Sequence, residues 1–536
     1  MRGGAPSNDQ FDGWTVATEA GAGFVVMQND DLIGLSECPD SIGGASVVAL
    51  ERAAGRNVCE ISGTLSSDAT LTSNIEWQLE GRLQVGSNVN VASLTIQSGT
   101  RITGDIEDEV DHLLVWPGSS INALGSAARP VRMMSDDSDV TGSGEWGGLF
   151  VRGFNGLPTL SGIQGSNLLD YLVVSEGGAA VEVEIDGASV TYADNIVLNG
   201  VDSATRLTFV QSHNSARDGL HILNGDPRLS WILSTGAGRD GIWYRDFTGL
   251  IKDLMVIHNP DASGDTGRAG IYASETLTGN SNPRIVNATL VGRDNSSTAA
   301  DVDDNEFGIL FADNTDQIRI ANVLIANFRN GCYEADTGAD LSGIDTTIPG
   351  PTYLDGLHCA NEAGANGTFG IVRAGSVDFP AGTVAPNNSN GNGLVYYNGA
   401  GPELGIANTT FVSESGGLNF TGEIAERAAN FTAGWYLDNL RGVGNGLVGD
   451  SAFLNGFLDG DTNLDGVVNV DDTRSPFIIA DDGPGGFNQD VAEDTGGYDL
   501  THVGAVRGGA VSNVQFDNWT VSTGRSSGFT VRTTPQ

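Results

Sequence analysis

The chain has 536 residues, 76 of them glycine, and a formal charge of −42 from 68 acids against 26 bases. A surface that acidic repels nucleic-acid phosphate, which excludes DNA and RNA as partners, and no apolar run approaches the 18 or so residues of a membrane span. Length alone suggests several domains, but a repetitive solenoid absorbs several hundred residues in one body.

The first stretch, "MRGGAPSNDQFDGWTVATEAGAGFVV", returns near the end as "VRGGAVSNVQFDNWTVSTGRSSGFTV", with 16 of 26 aligned positions identical and Met1 opposite Val506. Both copies alternate in the β manner, with aromatic anchors at Phe11, Trp14 and Phe24 and again at Phe516, Trp519 and Phe529. No basic region followed by an apolar stretch opens the chain. The expectation is a small β-module made internal by trimming of a longer precursor, with the export signal outside this sequence. Extracellular or cell-surface localisation follows.

The four cysteines form two local pairs, Cys38 with Cys59 and Cys332 with Cys359. Neither has the spacing of a zinc knuckle, and two disulfides are expected, each closing a loop worth on the order of 3 kcal/mol. Disulfides belong to an oxidising compartment, in agreement with export.

From about residue 60 the chain settles into short alternating runs that stop at turn formers, such as "NIEWQLEGRLQVG" and "ASLTIQSGTRITGD". No convincing apolar stripe of helical period interrupts them. Further on, "RLTFVQSHNSARDGLHIL" and "RLSWILSTGAGRDGIWYRD" read strand, polar turn, glycine, strand. Gly219 and Gly241 lie 22 residues apart, and Gly270, Gly308 and Gly331 follow at 29, 38 and 23, as if loops had been inserted into some turns. A period in the low twenties with drifting insertions is that of a right-handed parallel β-helix, whose coils bury their apolar sides only by stacking about 4.8 Å apart. A propeller would repeat near 40 residues, and a sandwich has no reason to repeat "RDG" at this spacing.

The words "CEISGTLSSDATLTSNIEWQLEGRLQVG", "SLTIQSGTRITGD", "LLVWPGSSINALGSAARPVRMMS" and "GSGEWGGLFVRG" resemble those of a group of secreted bacterial β-helix proteins, over roughly residues 55 to 330. "YDLTHVGAVRGG" with "FDNWTV" resembles that group's C-terminal segment. The resemblance implies the solenoid fold and export rather than a particular activity. The expected organisation is a lead-in over 1–54, the β-helix with loop insertions over 55–450, a calcium-loop segment over 451–490 and a C-terminal β-module over 491–536.

The sharpest single motif is "DGDTNLDGVVNVDD" at 459–472. Asp461, Asn463 and Asp465 take positions 1, 3 and 5 of a calcium loop, Gly466 makes its sharp turn, Val467 offers a carbonyl, and Asn469 and Asp472 complete the set. The loop resembles those of dockerins and thrombospondins and is expected to hold Ca²⁺ at the end of the solenoid. Other acidic runs, "GDIEDEVD" at 104–111, "SDDSD" at 135–139 and "DVDD" at 301–304, read as solvated turns.

Two functional readings compete. The related ends suggest a non-enzymatic, calcium-stabilised structural subunit whose partners are copies of itself, joined head to tail into a filament or surface layer. The alternative is a secreted polysaccharide lyase, glycoside hydrolase or glycan-binding adhesin. In an enzyme, the "RDG" turns would place Arg217, Asp218, Arg239 and Asp240 on successive coils near His213 and His221, with Trp231, Trp243 and Tyr244 as a sugar platform. Otherwise the Arg–Asp pairs form a surface ladder and the aromatic residues pack in or on the coil.

Overall fold

The computed structural model describes residues 38–335 with short internal exceptions, the strands Tyr353–Ala360, Leu394–Asn398 and Gly401–Pro402, and Thr520. Both copies of the terminal repeat with their aromatic anchors, and the whole calcium loop, lie outside these residues, Thr520 excepted. The described part contains no helix and forms one continuous sheet of 26 strands, almost all paired in parallel, plus a two-stranded hairpin. It is a right-handed parallel β-helix.

Each regular coil consists of an eight-residue strand, a turn, a four-residue strand and a second turn. Arg206–His213, Leu220–Leu223, Arg228–Thr235 and Ile242–Arg245 show the pattern. Arg206 pairs with Arg228 and Arg228 with Leu250, so equivalent positions stack at a 22-residue step. One inward column runs Leu172, Val210, Ile232, Leu254, Ala288 and Val323, and another on the short strands runs Leu149, Ile196, Leu220, Ile242, Ile271 and Ile309. All of these side chains are fully buried. No coil could dry such a face alone, so the columns are both the core and the reason that coils stack.

The glycines read from the sequence mark one position of this stack. A Cβ on Gly219 would sit 2.6 Å from the carbonyl oxygen of Gly241, and one on Gly241 or Gly270 would sit 2.7 Å from the next carbonyl along. Only glycine allows coils this close here. Gly331 departs from the expectation. Phe307 pairs with Gly331 and Ile309 with Tyr333, so Cys332, not Gly331, takes the position after Gly308. The inward apolar residues set the register, and the preceding turn is one residue longer than the glycine spacing implied.

At the N-terminal end, Ala45–Glu51 runs antiparallel to Asn57–Leu65 and covers the first coil. The Cys38–Cys59 disulfide, with Cα atoms 5.6 Å apart, ties the lead-in to that strand. Cys332 and Cys359 lie on the strands Gly331–Ala335 and Tyr353–Ala360, and their side chains are outside the described residues. Within "GDIEDEVD" the expectation of a solvated turn fails for Asp111. It is buried and accepts hydrogen bonds from the Gly81 and Asp105 amides, and burial pushes its carboxyl up to about 7.

Candidate functional site

The four-residue strands present a second, outward column. Val197, His221, Trp243 and Tyr272 are register partners, and so are Arg152, Asn199, Leu223 and Arg245. Between Ser175 and Ile196 the turn is expanded into the antiparallel hairpin Val181–Ile185 and Ala188–Tyr192. Val181, Val183 and Tyr192 of this hairpin pack on Leu114, Phe150 and Val197, covering the outward face of the earlier coils. Where the hairpin ends, the face opens into a cavity of about 380 Å³, walled by Tyr192 on one side and floored by His221 and Trp243.

From the cavity lining a column of three carboxylates runs along the turn, beginning with Asp194. Asp194, Asp218 and Asp240 occupy the same turn position on successive coils, and all three are buried. The Asp218 amide donates to Asp194 Oδ1 at 3.1 Å, the Asp240 amide to Asp218 Oδ1 at 3.0 Å, and the Ala269 amide to Asp240 Oδ1 at 2.8 Å. Each aspartate therefore satisfies the backbone of the next coil, which explains its recurrence before the glycine column.

Charge is shared unevenly along this column. Arg239 grips Asp218 through Nε at 2.7 Å and through Nη2, and its Nε lies 3.4 Å from Asp240 Oδ2. The Asp218 carboxylate outweighs burial and holds the guanidinium firmly charged. Burial opposes ionisation of Asp194, but hydrogen bonds from His221 and the Asp218 amide bring its carboxyl below the ordinary value. Burial, reinforced by neighbouring carboxylates, raises Asp218 despite Arg239 and raises Asp240 further. Asp194 is thus the member whose ionised form its surroundings favour, and Asp240 the one whose charge they oppose most.

His221 connects the column to the cavity. Its Nδ1 lies 2.8 Å from Asp194 Oδ2, which fixes the tautomer with the proton on Nδ1. Nε2 is buried, has no hydrogen-bond partner among the described residues, and belongs to a residue that lines the cavity. The imidazole stacks on Trp243 with centroids 4.0 Å apart and meets the edge of Tyr192 at 5.6 Å. Arg239 lies over the Trp243 ring at 4.7 Å. Three further guanidinium groups, from Arg152, Arg217 and Arg245, line the cavity, and its one carboxylate is Asp194, already engaged by His221. In a chain of charge −42, this is a local concentration of positive charge.

Of the residues singled out from the sequence, Arg217, His221 and Trp243 meet at this cavity. Asp218 and Asp240 do not form an open pair of acids. They are buried as backbone caps, while the arginines of the Arg–Asp pairs, Arg217 and Arg239, remain partly exposed. His213 is buried with Nδ1 2.7 Å from Thr235 Oγ1, Tyr244 belongs to the core, and Trp231 stacks on Phe209 at a different corner. Sequence reasoning missed Arg152, Tyr192, Asp194 and Arg245. "ADNIVLNG" carried the signal for Asp194, because its aspartate stands 24 residues before that of "RDGLHIL", with the same strand following.

Residues 63–349, more than half of the chain, match the family described as the pectate-lyase-like β-helix domain. The chain belongs to that family. No curated protein and no solved structure matches it. Within this pectate-lyase-like β-helix the cavity falls on the four-residue strands of the matched region, together with the hairpin inserted between them.

Proposed function

We propose that this protein acts outside the cell by binding an acidic polysaccharide, with uronate units seated in the Arg152–Arg217–Arg245 cavity against Trp243. The observation that carries the reading is the grouping of three guanidinium groups with an aromatic face in a concave site on an otherwise strongly acidic chain. Guanidinium groups bind carboxylates as bidentate partners, and an indole face suits the apolar side of a sugar ring. Overall negative charge would discourage indiscriminate association with polyanions, so a local cationic cavity favours a ligand that fits it. The family description, pectate-lyase-like, agrees with an acidic glycan.

A catalytic form of this reading rests on His221. A histidine held by Asp194 with an unpartnered Nε2 beside three arginines has the parts for abstracting a proton α to a neutralised uronate carboxylate. Glycan arrays of acidic and neutral polysaccharides test binding, and the ultraviolet absorbance of unsaturated uronates tests elimination. Equal binding of neutral and acidic glycans, or no binding of either, rejects the proposal.

A second reading is carried by the terminal repeat, 16 of 26 positions identical. In it the protein is a calcium-stabilised subunit that joins copies of itself through the segments around Trp14 and Trp519, with Ca²⁺ held by the 461–472 loop. Electron microscopy with and without Ca²⁺ tests it, and dispersed monomers in both conditions reject it. Deletion of residues 506–536 is expected to abolish assembly while leaving the β-helix folded.

A further inference from the structure

A second cluster of acids lies away from the arginine cavity, where the coil ending in Val131–Ser135 meets the coil ending in Leu168–Ser175. Carboxylate oxygens of Asp137, Glu145 and Glu176 all lie within 4.8 Å of one another. Two oxygens bound to one ion at about 2.4 Å can be no further apart than about 4.8 Å, so the three are already within the span of a shared Ca²⁺.

The cluster differs from a solvated acidic turn in one respect. Glu176 has no exposed surface, its carboxylate is met only by the Gly142 amide and, on Oε2, by Ser175 Oγ at 3.3 Å, and its Oε1 has no hydrogen-bond partner among the described residues. A buried carboxylate oxygen without a donor carries a penalty unless something cationic or protic completes it. The backbone around it is also specified. Glu176 is held in the left-handed region at φ +64°, and the Glu145 amide donates to its carbonyl at 2.8 Å. Trp146 Nε1 donates to Ser175 O at 2.7 Å, and a Cβ on Gly142 would collide with the Glu145 carboxylate. The segment 142–147 is thus fastened to the next coil with its carboxylate directed at Glu176.

We infer that Asp137, Glu145 and Glu176 form a site for a hard divalent cation of the Ca²⁺ type, which joins two successive coils. Three carboxylates without nitrogen or sulfur select an oxygen-seeking ion. Asp137 and Glu145 lie in one coil and its turn, and Glu176 begins the turn of the next, so the ion stands across the junction between coils. Burial, with the charges of Asp137 and Glu145, disfavours the bare Glu176 carboxylate, and a cation shared by the three would relieve that penalty. Its ligands belong to the β-helix and share no residue with the calcium-loop motif of 461–472.

The test uses the full chain stripped of metal and titrated with Tb³⁺ under tryptophan excitation, since Trp146 adjoins Glu145. Sensitised emission that Ca²⁺ displaces is expected. Glu176→Gln should weaken it at least tenfold, and the double variant Asp461→Ala/Asp465→Ala should retain it. Calorimetry of Ca²⁺ binding should show a binding event that is lost in Glu176→Gln. If Glu176→Gln fails to fold, Glu145→Gln, with its partly exposed carboxylate, carries the same readings. Emission unchanged in the glutamine variant, or abolished only by the 461/465 double variant, overturns the inference.

Discussion

The coils carrying Tyr171, Phe209 and Trp231 turn two corners by different means. At one corner a single residue in the left-handed region redirects the eight-residue strand, and the side chains of successive coils stack on each other. Tyr171 lies 4.4 Å from Phe209 and Phe209 4.8 Å from Trp231, nearly parallel, with the Lys252 ammonium 5.0 Å from the Trp231 ring centroid. At the other corner the same three coils place Asp194, Asp218 and Asp240. The aromatic corner satisfies itself, the rings of successive coils covering each other's faces. The aspartate corner satisfies the backbone but leaves charge to be balanced, and the balance is made by Arg239 and His221, which reach toward the outward face. Recognition chemistry collects at the second corner because its structural duty requires polar groups.

The largest way to break this contrast is Asp218→Ala. It would strand Arg239 over Trp243 and remove the acceptor for the Asp240 amide, and loss of one member of a buried ion pair costs about 3–5 kcal/mol. A chemical-denaturation curve unchanged by this substitution would show that the column is ornamental. Arg217→Ala/Arg245→Ala should leave the unfolding curve nearly in place yet weaken acidic-glycan binding roughly thirtyfold, the equivalent of about 2 kcal/mol, as read by affinity electrophoresis. Trp231→Ala should do the reverse. Its ring is partly exposed, so the loss in stability should be about 2 kcal/mol, below the 3–5 kcal/mol of fully buried aromatics, with glycan binding unaffected.

A further effect is a pH dependence in the absence of divalent ions. Glu176 keeps its proton in the folded chain up to about 8, whereas the unfolded chain releases it near 4.5, so the native state binds more protons in between. Its contribution is complete below 4.5 and is lost as pH climbs toward 8. Stability of the metal-free protein should fall across that window, and Glu176→Gln should flatten the slope when melting is followed by circular dichroism.

The repeat of the coil was legible because stacking imposes it on every residue that points inward. Gly219, Gly241 and Gly270 announce themselves through a steric rule that acts at short range and at fixed spacing. The cavity was legible only in part. His221 and Trp243 stood out by residue type, but Arg152 and Tyr192 reach the site through stacking and through a hairpin whose length follows no period. Nothing in the spelling of "RDG" tells whether its carboxylate faces water or caps the next coil. That depends on the neighbouring amides, which only the assembled stack supplies. "SDDSD" shows the same limit, since Asp137 gains meaning from Glu176, 39 positions away in sequence and one coil away in space.

The glycine column also makes the coil a removable unit. Residues 219–240 begin at one column glycine and stop just before the next, so joining Asp218 directly to Gly241 would excise one turn and leave every remaining strand in register with its new neighbour. The cut would discard His221 and Arg239 while preserving the core columns. A fold whose segments can be dropped or doubled without disturbing the rest can lengthen, shorten or relocate its outward chemistry by unequal copying alone, with no need to redesign a hydrophobic interior each time.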